Sequence, residues 1–459
     1  MKKSASKRKK ANQKVSVDQN WSVLNPNAAG IDLGSREHWV AVPAERDPQN
    51  VRRLGTTTPD LEVLAKWLKQ CGVTDVAMEA TGVYWVAVYQ LLERRGFNVL
   101  LVNARQIKNV SGRKSDVLDC QWIQRLHTYG LLGGSFRPAD AYCVVRSLVR
   151  YRDELIAGRT TQIQHMQKAL LQMNIQLRAV LSDICGESGL AIIEAILQGE
   201  RDPVKLAALA HRRVKSSREQ IAKALVGDYR TEHLFVLKTA RELYHTHQEK
   251  INQCDRELAA ALEQLPERVN VQERPLAAKP KGKKIDSALR ESLYRKLGVD
   301  LTAIESIGTT VALTVVTEVG PDLSAFGTEK HFCSWLGLSP DHRITGGKIL
   351  SSHTRRVANR LSDALRLAAT CLEHSATALG AFYRRMKRKL GAPQAITATA
   401  HKLARIIYRM LRYGEAYVRQ GLEDYEKKTR DQSLKRLQRH AAAFGFELVQ
   451  RMPVAQVVS

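Results

Sequence analysis

The feature that most limits what this chain can fold into is a single change of hydrophobic period. Up to about Phe136 the apolar residues come in strand-length runs separated by Gly, Pro and Asn, with short amphipathic stretches between them. From 145 to 265 the strand signals vanish and spacings of three and four residues take over. The two halves cannot share one layer type, so the fold class is α/β followed by α.

In the first part, Ala28 to Leu33, His38 to Val42 and Val51 to Thr57 read as strands, the last on an edge. Leu61 to Gln70 reads as a short helix, with Leu61, Leu64, Ala65 and Leu68 on one face. Val73 to Met78 is a strand, Val83 to Arg95 a helix stopped by Gly96, Phe97 to Val102 a strand and Asp116 to Thr128 a helix. In the second part Leu237, Ala240, Tyr244, His247, Ile251, Cys254, Leu258, Ala261 and Leu265 form a seam, which predicts a coiled coil or long helical hairpin. The helix carrying Leu148, Leu155, Met166, Leu170, Met173 and Leu177 is its candidate partner, and His247 reads as a polar seam residue rather than a ligand. The expected organisation is a disordered basic arm (1–20), an α/β domain (21–140), a helical connector (145–265), a basic linker (266–292), a mostly helical C-terminal domain (293–425) and a charged tail (426–459).

Seventy-two Lys and Arg against 46 Asp and Glu leave a net charge of +26. A fold carrying that much like charge repels itself, and a polyanion relieves the repulsion, so nucleic acid is the expected partner. The charge is spread along the chain rather than gathered on one amphipathic segment, and no run of eighteen apolar residues occurs, so no membrane role is expected. Nor does an apolar stretch follow the basic N-terminus, so a secretory signal is not expected. Seven scattered cysteines without a Cys-x-x-Cys pair exclude a disulfide framework or zinc site as the organising device and fit a reducing cytoplasm.

Four acids stand out. Asp32 lies on the buried first strand within Gly30-Ile31-Asp32-Leu33-Gly34, where a carboxylate is costly unless a cation or partner satisfies it. Glu79 ends the strand Val76-Ala77-Met78, and Asp116 and Asp119 share one face of a helix start by their i, i+3 spacing. A helix N-terminus alone favours that last pair. Together, however, two strand-end carboxylates and a helical pair in a β-β-β-α-β-α-β-α order make the layout of a ribonuclease-H-like site. Hard oxygen ligands suit Mg2+ or Mn2+, and two such ions about 4 Å apart can bracket an in-line phosphoryl transfer.

The C-terminal part contains Ile304-Glu305-Ser306-Ile307-Gly308, which resembles a helix-hairpin-helix turn with Ser306 at a usual glycine position. It also contains Gly337-Leu338-Ser339-Pro340 and then Thr345-Gly346-Gly347-Lys348, where the glycine pair and lysine could hold backbone open around an anion or form a polar surface loop. Arg355, Arg356 and Arg360, the run from Arg384 to Lys389, and Lys402, Arg405, Arg409 and Arg412 repeat basic residues along helices. Such a face can track a phosphate backbone or simply be solvated.

Ile31-Asp32-Leu33-Gly34, Met78-Glu79-Ala80-Thr81-Gly82-Val83-Tyr84-Trp85 and Lys114-Ser115-Asp116-Val117-Leu118-Asp119 together resemble the DEDD, RuvC-like domain of the IS-one-ten group of insertion-sequence transposases. The segment from Ile304 past Pro340 is similar to that group's C-terminal transposase domain. The resemblance implies that Asp32, Glu79, Asp116 and Asp119 bind a divalent metal, that the helical connector dimerises, and that a non-coding guide RNA directs DNA recombination in a dimer or tetramer. It also implies a serine nucleophile just before a glycine, forming a 5′-phosphoserine link to DNA. Here that position is Thr345, with Ser351 and Ser352 as the alternatives. Lys348, Arg355, Arg356, Arg360, Lys402, Arg405 and Arg409 are then the expected nucleic-acid contacts. A metal-dependent nuclease or junction resolvase using water, and an inert nucleic-acid-binding protein, are the competing readings.

Overall fold

The computed structural model describes residues 22–80, 82–103, 116–278 and 286–449. The expected arm (1–20), Thr81, Lys114 and Ser115, and the Lys279–Lys284 core of the expected linker lie outside the described residues. The chain divides into two compact units, Met1–Arg137 and Pro138–Ser459.

The first unit is built on a five-stranded sheet in the order β3-β2-β1-β4-β5. Its strands are β1 (Ala28–Leu33), β2 (Glu37–Ala41), β3 (Val51–Gly55), β4 (Asp75–Glu79) and β5 (Asn98–Val102). β2 runs antiparallel to both β1 and β3, whereas β1, β4 and β5 are parallel. Strand β1 is central and nearly all buried, as expected for a run as apolar as Ala-Ala-Gly-Ile between two neighbours. Helices α1 (Thr58–Gln70) and α2 (Trp85–Arg94) complete the order, followed by α3 (Asp116–Thr128). Each element falls within two or three residues of its sequence expectation. α1 starts three residues earlier than the apolar pattern suggests, because Asp60 accepts the Thr57 N–H and Pro59 suits a first turn.

Side-chain alternation sorts the sheet into two faces. Ile31, Leu33, Val40, Val76, Met78 and Leu101 point into one core with Leu64, Leu68 and Leu92 of α1 and α2. Ala77, Val102 and Ile123 of α3 form a smaller core on the other face.

The second unit is mostly helical. Two 33-residue helices, α4 (Asp140–Gln172) and α9 (Thr231–Glu263), pack along each other. Cys254 meets Leu148, Asp255 pairs with Arg152 and Gln248 with Arg159, so the two run antiparallel. The helical hairpin expected from the seam is therefore present within one chain. Gly158 makes it possible at one crossing, since a Cβ there would lie 2.5 Å from the His247 ring, whose Nδ1 bonds the Leu243 carbonyl. Short helices α5 (Leu177–Val180), α6 (Glu187–Leu197), α7 (Pro203–Ala208) and α8 (Arg218–Ala224) close a core at the far end of the pair around Met173, Ile192, Ile196 and Leu237.

Beyond α9, the chain folds through α10 (Ser287–Leu297), a 3-10 turn (Leu301–Ala303), α11 (Thr309–Glu318), α12 (Glu329–Trp335), the hairpin β6 (Arg343–Thr345) and β7 (Lys348–Ser351), α13 (Arg360–Thr370), α14 (Ala378–Leu390), α15 (Ala392–Tyr413) and α16 (Glu415–Ala443). α16 runs continuously through residue 425. Glu318, 6% exposed, takes ion pairs from Arg146 and Arg150 at 2.9 Å each, tying α11 to α4. Fully buried Lys296 donates to the carbonyls of Glu263 and Leu265, satisfying the end of α9. All seven cysteines are free, and no described helix is long and apolar enough to cross a membrane.

Candidate functional site

The acidic site follows from strand parity and helix direction. Asp32 and Gly30 face away from the core that Ile31 and Leu33 enter, and so does Glu79 relative to Met78. β1 and β4 are parallel, with Ile31 opposite Met78, so Asp32 and Glu79 come next along neighbouring strands on the α3 face. Helix α3 crosses that face antiparallel to β1. Its last carbonyl, on Thr128, accepts from Leu24 and Asn25 N–H, and Gln124 reaches the Ala28 carbonyl at 3.4 Å. Opposite Gly30 the helix is so close that a Cβ would sit 2.3 Å from the Gln124 nitrogen and 2.4 Å from the Cys120 carbonyl oxygen. The helix start, with Asp116 and Asp119, is thereby carried toward the Asp32 end of β1.

Electrostatics reports the same convergence. The Asp32 carboxyl is pushed up to about 6, first by burial and then by the negative charges of Asp116, Asp119 and Glu79. Only a hydrogen bond from the Leu33 backbone opposes the rise. Buried Cys120, one turn into α3, has its thiol pushed up to about 12 by the same burial, with Asp32 and Asp119 contributing, so it is no nucleophile. Among the described residues no three acidic, His or Cys side chains stand at single-ion spacing, so the coupling among the four acids is longer-ranged than a closed ligand shell. The all-oxygen donor set and the charge stress on Asp32 fit a hard divalent cation, which would neutralise that stress.

The remaining expected residues fall in the second unit. Thr345 ends β6, exposed, directly before the two-residue turn Gly346-Gly347, both glycines having positive φ (+54° and +73°). Lys348 lies across from it in register. Ser351 ends β7, half-buried, and its Oγ accepts the His353 N–H at 3.4 Å, while Ser352 is exposed. The stretch is a hairpin rather than a polar loop, and the alternation Ile344-Thr345 and Lys348-Ile349 around Gly-Gly is its sequence signal.

Arg355 is turned onto the Ser334 carbonyl and hydroxyl, and Arg360 pairs with Asp153 at 2.6 Å, while Arg356 is exposed. On α15, Arg405 and Arg409 both grip Glu329, and Lys402 lies over the Phe382 ring at 4.6 Å. Glu329 is raised by burial, but hydrogen bonds from Arg409 and Arg405 hold it below the usual range. The basic face expected on α15 thus spends two of its arginines on one carboxylate. A cleft of about 580 Å³ lined by Arg384, Lys387 and Arg388 opens on α14 instead. Ser306 takes the left-handed conformation (φ +64°) in the turn before α11, the position where the sequence pattern had called for glycine.

The first unit is a five-stranded mixed sheet with an acidic end, and the second unit is mostly helical. Residues 29–175 match the DEDD-type family described as "Transposase", and residues 300–384 match the one described as "Transposase IS116/IS110/IS902 family". The chain belongs to this IS110 group of transposases. It is similar to "Insertion element IS110 uncharacterized 43.6 kDa protein" of Streptomyces coelicolor, at 30% identity over 26% of this chain and 29% of that protein. It is also similar to "Putative transposase y4pF/y4sB" of Sinorhizobium fredii, at 33% identity over 21% of this chain and 27% of that protein. The chain therefore spans less than a third of the length of either relative it matches.

Proposed function

We propose that the protein is a DNA transposase that cuts and rejoins strands, using a RuvC-like, ribonuclease-H-like metal site and the Thr345 hydroxyl. The observation that carries this reading is that Asp32 is pushed up to about 6, first by burial and then by the negative charges of Asp116, Asp119 and Glu79 at the same end of the sheet. Mg2+ or Mn2+ bound there would supply Lewis-acid stabilisation of charge on the scissile phosphate. The four acids would have to draw closer around the ion to hold it, and the close packing of α3 on Gly30 would fix the second pair relative to the first.

Thr345 Oγ1 attacks the phosphorus; the Oγ1–P bond forms as the P–O3′ bond breaks, leaving a 5′-phosphothreonine and a free 3′-hydroxyl. The hydroxyl proton is lost and the leaving oxygen gains one, so the step is isoenergetic in phosphodiesters and reverses onto a different 3′-hydroxyl. Exposure at a glycine turn favours Thr345 over Ser351, whose Oγ is engaged locally. The extra methyl of threonine would make this a slower nucleophile than the serine that the family resemblance implies at this position.

DNA is the substrate, a non-coding guide RNA supplies targeting, the α4–α9 pair supports a coiled-coil dimer or tetramer, and the setting is the bacterial cytoplasm. The deciding experiment incubates the protein, co-expressed with its flanking DNA, with Mg2+ and a nicked suicide duplex. A covalent adduct lost in Thr345→Ala is expected. Cleavage without an adduct would replace this reading by a water-using nuclease, and no Mg2+-dependent reaction at all would leave a binding protein.

A further inference from the structure

The β6–β7 hairpin has two unlike faces. By its register, Ile344 is paired with Ile349 on one face and Thr345 with Lys348 on the other, with Leu350 added at a bulge. Ile344 is 60% exposed and Ile349 59%, so an apolar pair stands in solvent on one face, and Leu350 beside it is 70% exposed. A two-stranded ribbon with both edges open and an uncovered apolar face is a docking element or a hazard, and folded proteins seldom keep the latter. Its surroundings say what docks. Between 341 and 360 the chain carries five cations, Arg343, Lys348, Arg355, Arg356 and Arg360, against the single acid Asp341. Even with Arg360 paired to Asp153 and Arg355 turned onto Ser334, this excess of positive charge beside an apolar face favours a polyanion with apolar edges to contact.

We infer that the hairpin is a DNA-groove ribbon, inserted with Ile344 and Ile349 against base edges while Arg343 and Lys348 flank it toward the phosphates. The width of a two-stranded ribbon matches the major groove of B-form DNA, and apolar side chains contact thymine methyls there. The deep, narrow major groove of duplex RNA does not admit it. This inference rests on the proposed transposase reading and adds to it a local means of bringing the Thr345 hydroxyl to the duplex. The Gly346-Gly347 turn keeps the tip slim, with nothing within 4 Å of either α-carbon's missing side chain.

The test measures binding of the full-length protein to a mixed-sequence DNA duplex across a salt series, in Ca2+, for wild type, Ile344→Ser/Ile349→Ser and Lys348→Gln. The double variant is expected to bind roughly tenfold to a hundredfold more weakly. Its slope of log affinity against log salt should not change, because no phosphate contact is lost. Lys348→Gln should reduce that slope by about one. Ile344→Thr/Ile349→Thr, which keeps strand propensity, should show the same weakening, so a folding defect is separable. Unchanged DNA affinity in both double variants, equal weakening toward an RNA duplex, or dissociation of the oligomer in sedimentation would each overturn the inference. Strand transfer by the wild type, assayed separately, decides the transposase reading whatever the ribbon does.

Discussion

Asp32 and Thr345 occupy opposite kinds of place. Asp32 is on the middle strand of a sheet, hemmed in by acids that arrive from β4 and α3, elements 47 and more residues away along the chain. Thr345 is on a hairpin with a two-residue turn, whose shape is decided within ten residues and which is largely exposed. The first site is stressed by its own convergence, since burial and like charge both oppose ionised Asp32. The second is unstressed and waits for a partner. On the proposed function, a cation-holding site would have to be assembled by the fold before its ligand comes, whereas a nucleophile on a ribbon would be completed by the DNA it enters.

The largest expected effect falls on the assembled site. Asp32→Asn should lower strand transfer by roughly a thousandfold or more, measured as initial rate of joined product, while leaving duplex affinity in Ca2+ nearly unchanged. Thr345→Ala should remove the covalent adduct without altering Mn2+ binding followed by paramagnetic resonance. Thr345→Ser should retain the adduct and form it a few-fold faster, since the methyl is gone. If Ser351→Ala rather than Thr345→Ala abolishes the adduct, the nucleophile is misassigned and the contrast between the two sites loses one arm.

A smaller effect tests the stress itself. The folded-state value of Asp32, about 6, lies above its ordinary 3.8, so the fold favours the protonated form. Its contribution is present below about pH 4 and is lost as pH rises through 6. Metal-free wild type should therefore lose melting temperature between pH 5 and 7.5 relative to Asp32→Asn, and Mg2+ should restore it. Gly30→Ala should cost about 1–3 kcal/mol by pushing α3 off β1, and should weaken Mn2+ binding although it touches no acid. Smallest of all, Glu329→Gln should free Arg405 and Arg409 and strengthen non-specific DNA binding only a few-fold at low salt.

Much of the first unit was legible because its signals are local. The runs from Ala28 to Leu33 and Asn98 to Val102 are buried strands by composition, and the helix start at Asp116 coincides with its expected position. The seam of α9 also reported its buried face, with Leu237, Ala240, Ile251, Cys254 and Leu258 all inside. The β6–β7 hairpin was missed because three-residue strands are too short to register against a polar surrounding. The pairing of Arg405 and Arg409 was missed for another reason. Glu329 is some eighty residues away, and nothing in the spacing of a basic helix face announces which of its charges a distant carboxylate will take.

The four acids show where that line runs. Sequence alone determined that Asp32 and Glu79 end strands and that Asp116 and Asp119 share a helix face, because alternation and i, i+3 spacing are properties of the backbone. Only the tertiary structure decided that they meet. That required β4 to lie parallel beside β1, and α3 to cross antiparallel at a distance that only glycine at position 30 permits. Pairing partners and crossing direction depend on contacts between residues far apart in the chain, and no local pattern encodes them.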